Sequence, residues 1–474
     1  MIIVSGIDAV IYVMRSLFFS ITNRPANANK STCSTDTACS TESTCSTDTA
    51  YSTDTAYSTE STCSTGIVCN TTVGDATVGD ATVDERKKNQ KKILLFSEGK
   101  SYWGTFEPLV CELIQREIFF LYYTLDLYDP ALEIESPYME SKLFAKSSIS
   151  FARLNFAEAQ VMLSTTPNIG TAGYPLKKSP AVKELVHVFH AFADIAHYRK
   201  GSLDNYDTVI MVGEHQSKPI RKVEEMRDTN RKKLITLGLP YIDTLYQKVN
   251  TSQKRRETLA KGNDSLAKKN MGSDNGSMKK PETILIGSSW GNKGLLQEYG
   301  ISFVTDLAKE GYGVIVRPHP HSLICEPNDL DKWQRETINL TNVTWDFQPD
   351  GSFSMEVSDI LISDTSSLRF DYAFLYSRPV ITLQIPRGKQ DDFEISCFDE
   401  PVWIEEAESI IGTIVTKETI VDLVKIVKET LHNFDAKHIG EFRDDTIVNF
   451  GASAGPIVDY LIQPVQTKKK ANKS

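Results

Sequence analysis

The sequence is poor in the residues that would build a metal centre, a disulfide framework or a nucleic-acid surface. Of eight cysteines in 474 residues, five (Cys33, Cys39, Cys45, Cys63, Cys69) lie in one low-complexity tract. The other three, Cys111, Cys325 and Cys397, are far apart and form no CxxC pair. That pattern fits a reduced protein body without a zinc site or a set of disulfides. No excess of cations is present either: 52 Lys and Arg stand against 62 Asp and Glu, a net charge of −10. A general nucleic-acid binder carries the opposite balance, so no nucleic-acid partner is expected. No cluster of metal ligands stands out, and neither a metal nor a cofactor is expected. An apolar run free of charge is also missing. Met1 to Ile21 is largely apolar but holds Asp8 and Arg15, seven apart and on one helical face with Tyr12 between them. A bilayer span tolerates such charges poorly, and the segment has no basic start of the kind a secretory signal carries. It reads as a helix lying in a membrane interface, or as one that docks on the protein itself.

Residues 1–23 form this helix, and residues 24–90 form a low-complexity linker. From Ser34 to Cys69 the linker repeats a hexapeptide, STDTAC, STESTC, STDTAY, STDTAY, STESTC, STGIVC, and two TVGDA pentapeptides follow. Only Ala, Cys and Tyr could stack inward in a solenoid, which is too little apolar surface, so disorder is expected. Residues 91–250 alternate apolar strand runs with helical periodicity. Strands are predicted at 92–96, 119–123, 159–163, 185–189, 208–212 and 234–236, with helices at 106–117, 219–227 and 242–249. Residues 251–281, rich in Lys, Asn, Ser and Gly, read as a flexible basic loop. The alternation resumes over 282–464, with strands at 283–286, 313–317, 342–346, 359–363 and 379–383. Helices are predicted there at 301–310, 328–338, 366–375, 416–432 and 454–462. Residues 465–474 are a basic tail. The predicted fold is α/β and GT-B-like: two Rossmann-like domains with a cleft between them, ligand groups sitting at strand carboxyl ends.

The chemistry concentrates at those strand ends. Val314-Ile315-Val316 is a buried run from which Arg317 and His319 emerge, with Pro318 and Pro320 restricting the imidazole. Ile360-Leu361-Ile362 leads into Ser363, Asp364, Thr365, Ser366 and Ser367 at a helix start. There, unpaired N–H groups, the positive dipole end and hydroxyls favour an anion. Asp364 or Thr365 could cap that helix. Asp371, one turn on, could hold a sugar hydroxyl or pair with Arg369 or Arg378. Ser289 lies in the loop that follows the strand at 283–286. In the first domain, His187 and His190 are placed on one face of the strand, His190 nearer the cleft as a base for an attacking hydroxyl and His187 as a structural residue.

These motifs resemble the CDP-glycerol glycerophosphotransferases of teichoic-acid synthesis, over about Lys91 to Leu461. The resemblance rests on Ile286-Gly287-Ser288-Ser289-Trp290, Arg317-Pro318-His319-Pro320, Ser363 to Ser367 with Phe370-Asp371-Tyr372, and Arg378-Pro379-Val380. Gly238-Leu239-Pro240 with Asp243 matches a further segment. It implies two Rossmann-like domains of the GT-B type and work at the membrane surface. It also implies that His319, Asp364, Ser366 and Ser367 contact the diphosphate, and that His190 matches the family's base, with Ala191 where that family has glycine. The reaction expected is transfer of an alditol phosphate from CDP-glycerol or a similar CDP-alditol to a lipid-linked or capsular glycan. It would release CMP, at the cytoplasmic face of the membrane. A GT-B glycosyltransferase or sugar-nucleotide epimerase is the nearest alternative, and a non-catalytic surface or adhesion protein is another.

Overall fold

The computed structural model describes residues 93–144, 146–252, 281–291, 293–348, 351–385 and 392–471, with side chains to 463. The N-terminal helix, the repeat linker and nearly all of the basic loop lie outside the described residues. No helix among those described is long and apolar enough to cross a membrane.

Two parallel sheets organise the chain. The first holds β1 (Ile93–Ser97), β2 (Phe120–Thr124), β3 (Met139–Leu143), β4 (Ala159–Ser164), β5 (Val182–Val188), β6 (Thr208–Met211) and β7 (Lys233–Thr236), in the order β3-β2-β1-β4-β5-β6-β7. The second holds β8 (Thr283–Gly287), β9 (Gly313–Arg317), β10 (Val343–Trp345), β11 (Ile360–Ser363), β12 (Val380–Leu383) and β13 (Gly412–Val415), in the order β10-β9-β8-β11-β12-β13. The central strands are continuous apolar runs, buried along their length in β1, β6, β11 and β12. Sheets covered by helices on both faces require such runs. In each sheet the first strand lies inside the sheet and later strands add on either side. The order therefore reverses beside β1 and beside β8, which opens a crevice at the carboxyl ends there.

Three helices fix the layout. Helix α1 (Trp103–Gln115) covers one face of the first sheet. Helix α2 (Leu368–Tyr376) follows β11, and helix α3 (Ala454–Ala471) ends the described chain. The sequence places residues up to 464 in the second domain, yet α3 packs on the first. Ile457, Val458 and Leu461 share a core with Leu95, Phe106 and Leu109, and Arg116 of the α1 C-cap meets Asp459 at 2.5 Å. Asp243, from the matched Gly-Leu-Pro segment, holds this return. Its carboxylate accepts from the N–H of Ser453 at 3.0 Å and of Ala454 at 2.8 Å, at the start of α3.

A second core crosses between the domains and joins Leu94, Phe96 and Phe192 to Leu361, Phe370 and Phe374. Phe192 packs on Phe374 at 5.3 Å between ring centres, and His215 stacks on Trp403 at 4.1 Å. The chain after β12 also folds onto the first domain: Lys200 N–H donates to Asp392 O and Glu394 N–H to Tyr198 O.

Candidate active site

In the second sheet the strand register brings three ends level. Gly287 of β8 faces Arg317 of β9 on one side and Ser363 of β11 on the other. The loops that leave these ends carry most of the residues singled out from the sequence. Asp364 organises them. Its carboxylate has no exposed surface and accepts four hydrogen-bonding groups: Ser289 N–H at 3.0 Å, Ser289 Oγ at 2.7 Å, Leu295 N–H at 2.8 Å and Ser366 N–H at 3.1 Å. It therefore shapes the loop after β8 and the turn after β11 instead of offering its own charge to a diphosphate. Ser363 has a comparable task, since its hydroxyl donates to Gly287 O at 2.5 Å and ties β11 to β8. The exposed Thr365 and the partly exposed Ser366 and Ser367 stand in front of this frame. Ser367 is the N-cap of α2 and makes no side-chain cap bond, so neither Asp364 nor Thr365 is the capping residue. The helix start carries partial positive charge at the same point.

On the β9 side, His319 is half-buried, and its Nδ1 accepts the N–H of His321 at 3.1 Å. Burial lowers its pKa to about 4, helped by His321 and opposed by the nearby charge of Asp364. The ring is thus neutral at pH 7 and, with Nδ1 accepting, carries its proton on Nε2, ready to donate to an anion. His321 stacks on it at 5.4 Å, and Trp290, 48% exposed, lies 5.2 Å from His321. Arg317 leans the other way. Its guanidinium meets Asp346 at 2.6 Å, beyond β10, on the side away from β11. Its charge thus meets a carboxylate, and pairing at the sheet edge replaces the direct diphosphate contact expected of it.

Asp371 on α2 reaches across to the first domain. It accepts from the Tyr241 hydroxyl at 3.3 Å, and its Oδ1 has no partner among the described residues. Burial raises its pKa to about 7. The pairings expected with Arg369 or Arg378 do not form. Arg369 binds Glu408 at 3.0 Å, and Arg378 donates to the carbonyls of Met355 and Glu356.

In the first domain, β5 ends at Val188, so His190 lies beyond the strand. The shared strand face expected for His187 and His190 is therefore not formed, although the two imidazoles are close enough for His190 to help lower the pKa of His187. His187 is wholly buried, with Nε2 3.2 Å from the Tyr198 hydroxyl. His190 keeps part of its surface, packs edge-on to Tyr102 at 5.0 Å, and leaves a buried Nδ1 without a partner among the described residues. Burial lowers its pKa to about 4. Two residues further on, Phe192 meets Phe370 at 6.1 Å, within the first turn of α2 after Ser367. The loop after β5 thus packs on helix α2 through Phe192, which meets both Phe370 and Phe374. Sequence reasoning missed Glu98, directly after β1, and its partner Tyr174. The signal available was position: an acid directly after the first strand of an alternating domain.

No protein-family model matches the chain, and no curated protein sequence is significantly similar. The likeness lies in the fold. A protein assigned as a UDP-N-acetylglucosamine 2-epimerase from Listeria monocytogenes aligns with a TM-score of 0.51 at 12% identity, covering 80% of this chain and 97% of its own. Another UDP-N-acetylglucosamine 2-epimerase structure aligns with a TM-score of 0.50 at 14% identity, covering 80% of this chain and 97% of its own. The chain therefore has a two-domain GT-B-type α/β fold.

Proposed function

We propose that this chain is an enzyme acting on a nucleoside-diphosphate-activated substrate seated on the carboxyl edge of the second sheet. The observation that carries the reading is the row Gly287, Arg317 and Ser363, from which a neutral donor imidazole (His319) and a hydroxyl-rich helix start (Thr365 to Ser367) emerge on either side of β8. Neutral donors and a helix dipole suit a diphosphate without a buried counter-charge. Within that class, the motifs support transfer of an alditol phosphate, glycerol phosphate from a CDP-activated donor, to a hydroxyl of a membrane-linked or capsular glycan at the cytoplasmic membrane face.

In that reaction the acceptor hydroxyl passes its proton to His190 while its oxygen bonds to the phosphorus next to glycerol. The phosphoanhydride bond breaks, and CMP leaves with the electron pair. His319, the Ser366 and Ser367 hydroxyls and the dipole of α2 stabilise the charge that builds up. A base with a pKa near 4 is weak at pH 7. The negative charge of a bound diphosphate favours the imidazolium and moves His190 toward the working range. A second reading, glycosyl transfer or epimerisation of a UDP-sugar, is favoured by the fold shared with UDP-N-acetylglucosamine 2-epimerases.

Product analysis separates the two. Pure protein mixed with membrane extract and CDP-glycerol should release CMP, and His319→Ala should lower that rate about 100-fold. Release of UDP from a UDP-sugar, or its epimerisation, with no CMP from CDP-glycerol, selects the second reading. Turnover of neither substrate rejects both.

A further inference from the structure

The crevice of the first sheet contains a polar cluster that the diphosphate chemistry leaves unused. The register aligns Phe96 with Ser164 and Ser164 with His187 across β1, β4 and β5. Just beyond that row, Glu98, Thr166 and His190 leave neighbouring strands whose spacing is about 4.8 Å. Aromatic hydroxyls surround them. Tyr174 donates to Glu98 Oε1, Tyr206 donates to the carbonyl of Thr166, and Tyr102 lies edge-on to His190. Thr165 and Thr166, 0% and 1% exposed, hold hydroxyls without a partner among the described residues, as does the Nδ1 of His190. Glu98 is the acid of the cluster. Its second oxygen has no hydrogen-bond partner among the described residues, and the side chain keeps part of its surface open. The turn that presents it is built for the purpose: Gly99 takes φ +143°, with the Asp126 side chain 2.5 Å from where a Cβ would stand.

A carboxyl held by one tyrosine, one strand removed from the strand that leads to His190 and with tyrosine hydroxyls nearby, is suited to neighbouring hydroxyls of a polyol. We infer that Glu98 is the residue that selects the acceptor: it accepts a hydrogen bond from one hydroxyl of a vicinal pair and thereby directs the other toward His190. This rests on the reading of His190 as the base. The shared ligand chemistry is a vicinal diol, which a sugar ring or a glycerol phosphate chain can supply.

Saturation-transfer NMR on the full chain tests it with two probes, methyl β-D-glucopyranoside and glycerol 3-phosphate, and CDP and UDP binding is measured in parallel. Wild type should show transfer to at least one probe, and which one identifies the source of the diol. Glu98→Gln and Tyr174→Phe should each weaken that signal at least fivefold while nucleotide binding stays within twofold, and Glu98→Asp should restore part of it. In turnover, Glu98→Gln should raise the acceptor KM more than it lowers kcat. No transfer in wild type, equal transfer in Glu98→Gln, or a loss matched at the nucleotide site overturns the assignment. A chain that binds the diol through Glu98 but turns over no activated nucleotide defeats the reaction proposed above and leaves the diol site in place.

Discussion

Asp364 shows how one side chain can matter at a binding site without touching the ligand. Four hydrogen-bonding groups converge on a carboxylate that no solvent reaches. Hydrogen bonds to a charged acceptor contribute about 1.5–3 kcal/mol each, and leaving buried donors unsatisfied costs a similar amount. Asp364→Asn keeps the shape but presents an NH2 to donors that need an acceptor. It should destabilise the fold by about 2–4 kcal/mol in urea denaturation. It should also weaken nucleotide binding, because the Ser289 loop and the Ser366 turn lose their common anchor. Asp364→Asn with unchanged urea midpoint and nucleotide affinity would remove Asp364 from this role. Arg317 follows the same logic: a cation at a strand end invites assignment to phosphate, but Asp346 at 2.6 Å answers it first. Nothing local to Arg317-Pro318-His319-Pro320 reveals a carboxylate some thirty residues later, across β10.

At the scale of the element, the turn after β1 combines backbone strain with close packing. Gly99 has a positive φ, and a Cβ there would lie 2.5 Å from Asp126 Cβ and 2.6 Å from its Oδ2. Asp126 Oδ2 also accepts the N–H of Lys100 at 3.0 Å, so it is not free to swing aside. Gly99→Ala should therefore lower stability by about 1–3 kcal/mol in thermal or urea unfolding, and it should displace Glu98 and raise the acceptor KM while nucleotide affinity holds. An alanine variant as stable as wild type would show that the turn relaxes without cost. Elements of this kind also mark how far sequence reading reached. The buried strands were legible because both faces need apolar side chains, so β1, β8, β9, β11 and β12 stand out as unbroken runs. Of the edge strands described, β7 and β10 were legible and β3 and β13 were not. Met139–Leu143 carries Glu140 and Lys142 in a largely exposed pattern, and Gly412–Val415 is four residues long and opens with glycine. Edge strands are commonly short and charged, which erases the alternation a reader relies on. In the candidate site, the strand-end motifs were legible from local patterns. Glu98, Tyr174 and the return of α3 depend on contacts across 76 residues and more, which periodicity does not encode.

Over the whole molecule, two sets of buried groups oppose each other as pH changes. Burial lowers His187 to about 3 and His190, His215 and His319 to about 4. Between pH 4 and 6.5 the unfolded chain therefore binds protons that these folded histidines do not, and by linkage their contribution makes stability rise with pH across that window. Burial raises Asp194 and Asp243 to about 6 and Asp371 to about 7. These folded carboxyls hold protons that the unfolded chain has released above pH 4, so their contribution falls as pH climbs from about 4 to 7. The two slopes oppose each other, so the wild-type melting temperature should change less between pH 5 and 6.5 than either set alone would make it. Removing one member exposes the balance. Asp371 has the highest pKa of the three acids and one oxygen without a partner among the described residues. Asp371→Asn keeps a neutral side chain at every pH. It should differ from wild type by less than about 1 kcal/mol at pH 4, where the folded carboxyl is protonated and the unfolded one is about half protonated. At pH 8 it should be more stable by roughly 2–4 kcal/mol, because wild type must then carry a buried charge between the two domains. Urea denaturation at the two pH values measures this difference. A variant that gains nothing at pH 8 would mean that Asp371 is well compensated when charged, and Tyr241 would then be more than the single hydroxyl donor it is at 3.3 Å.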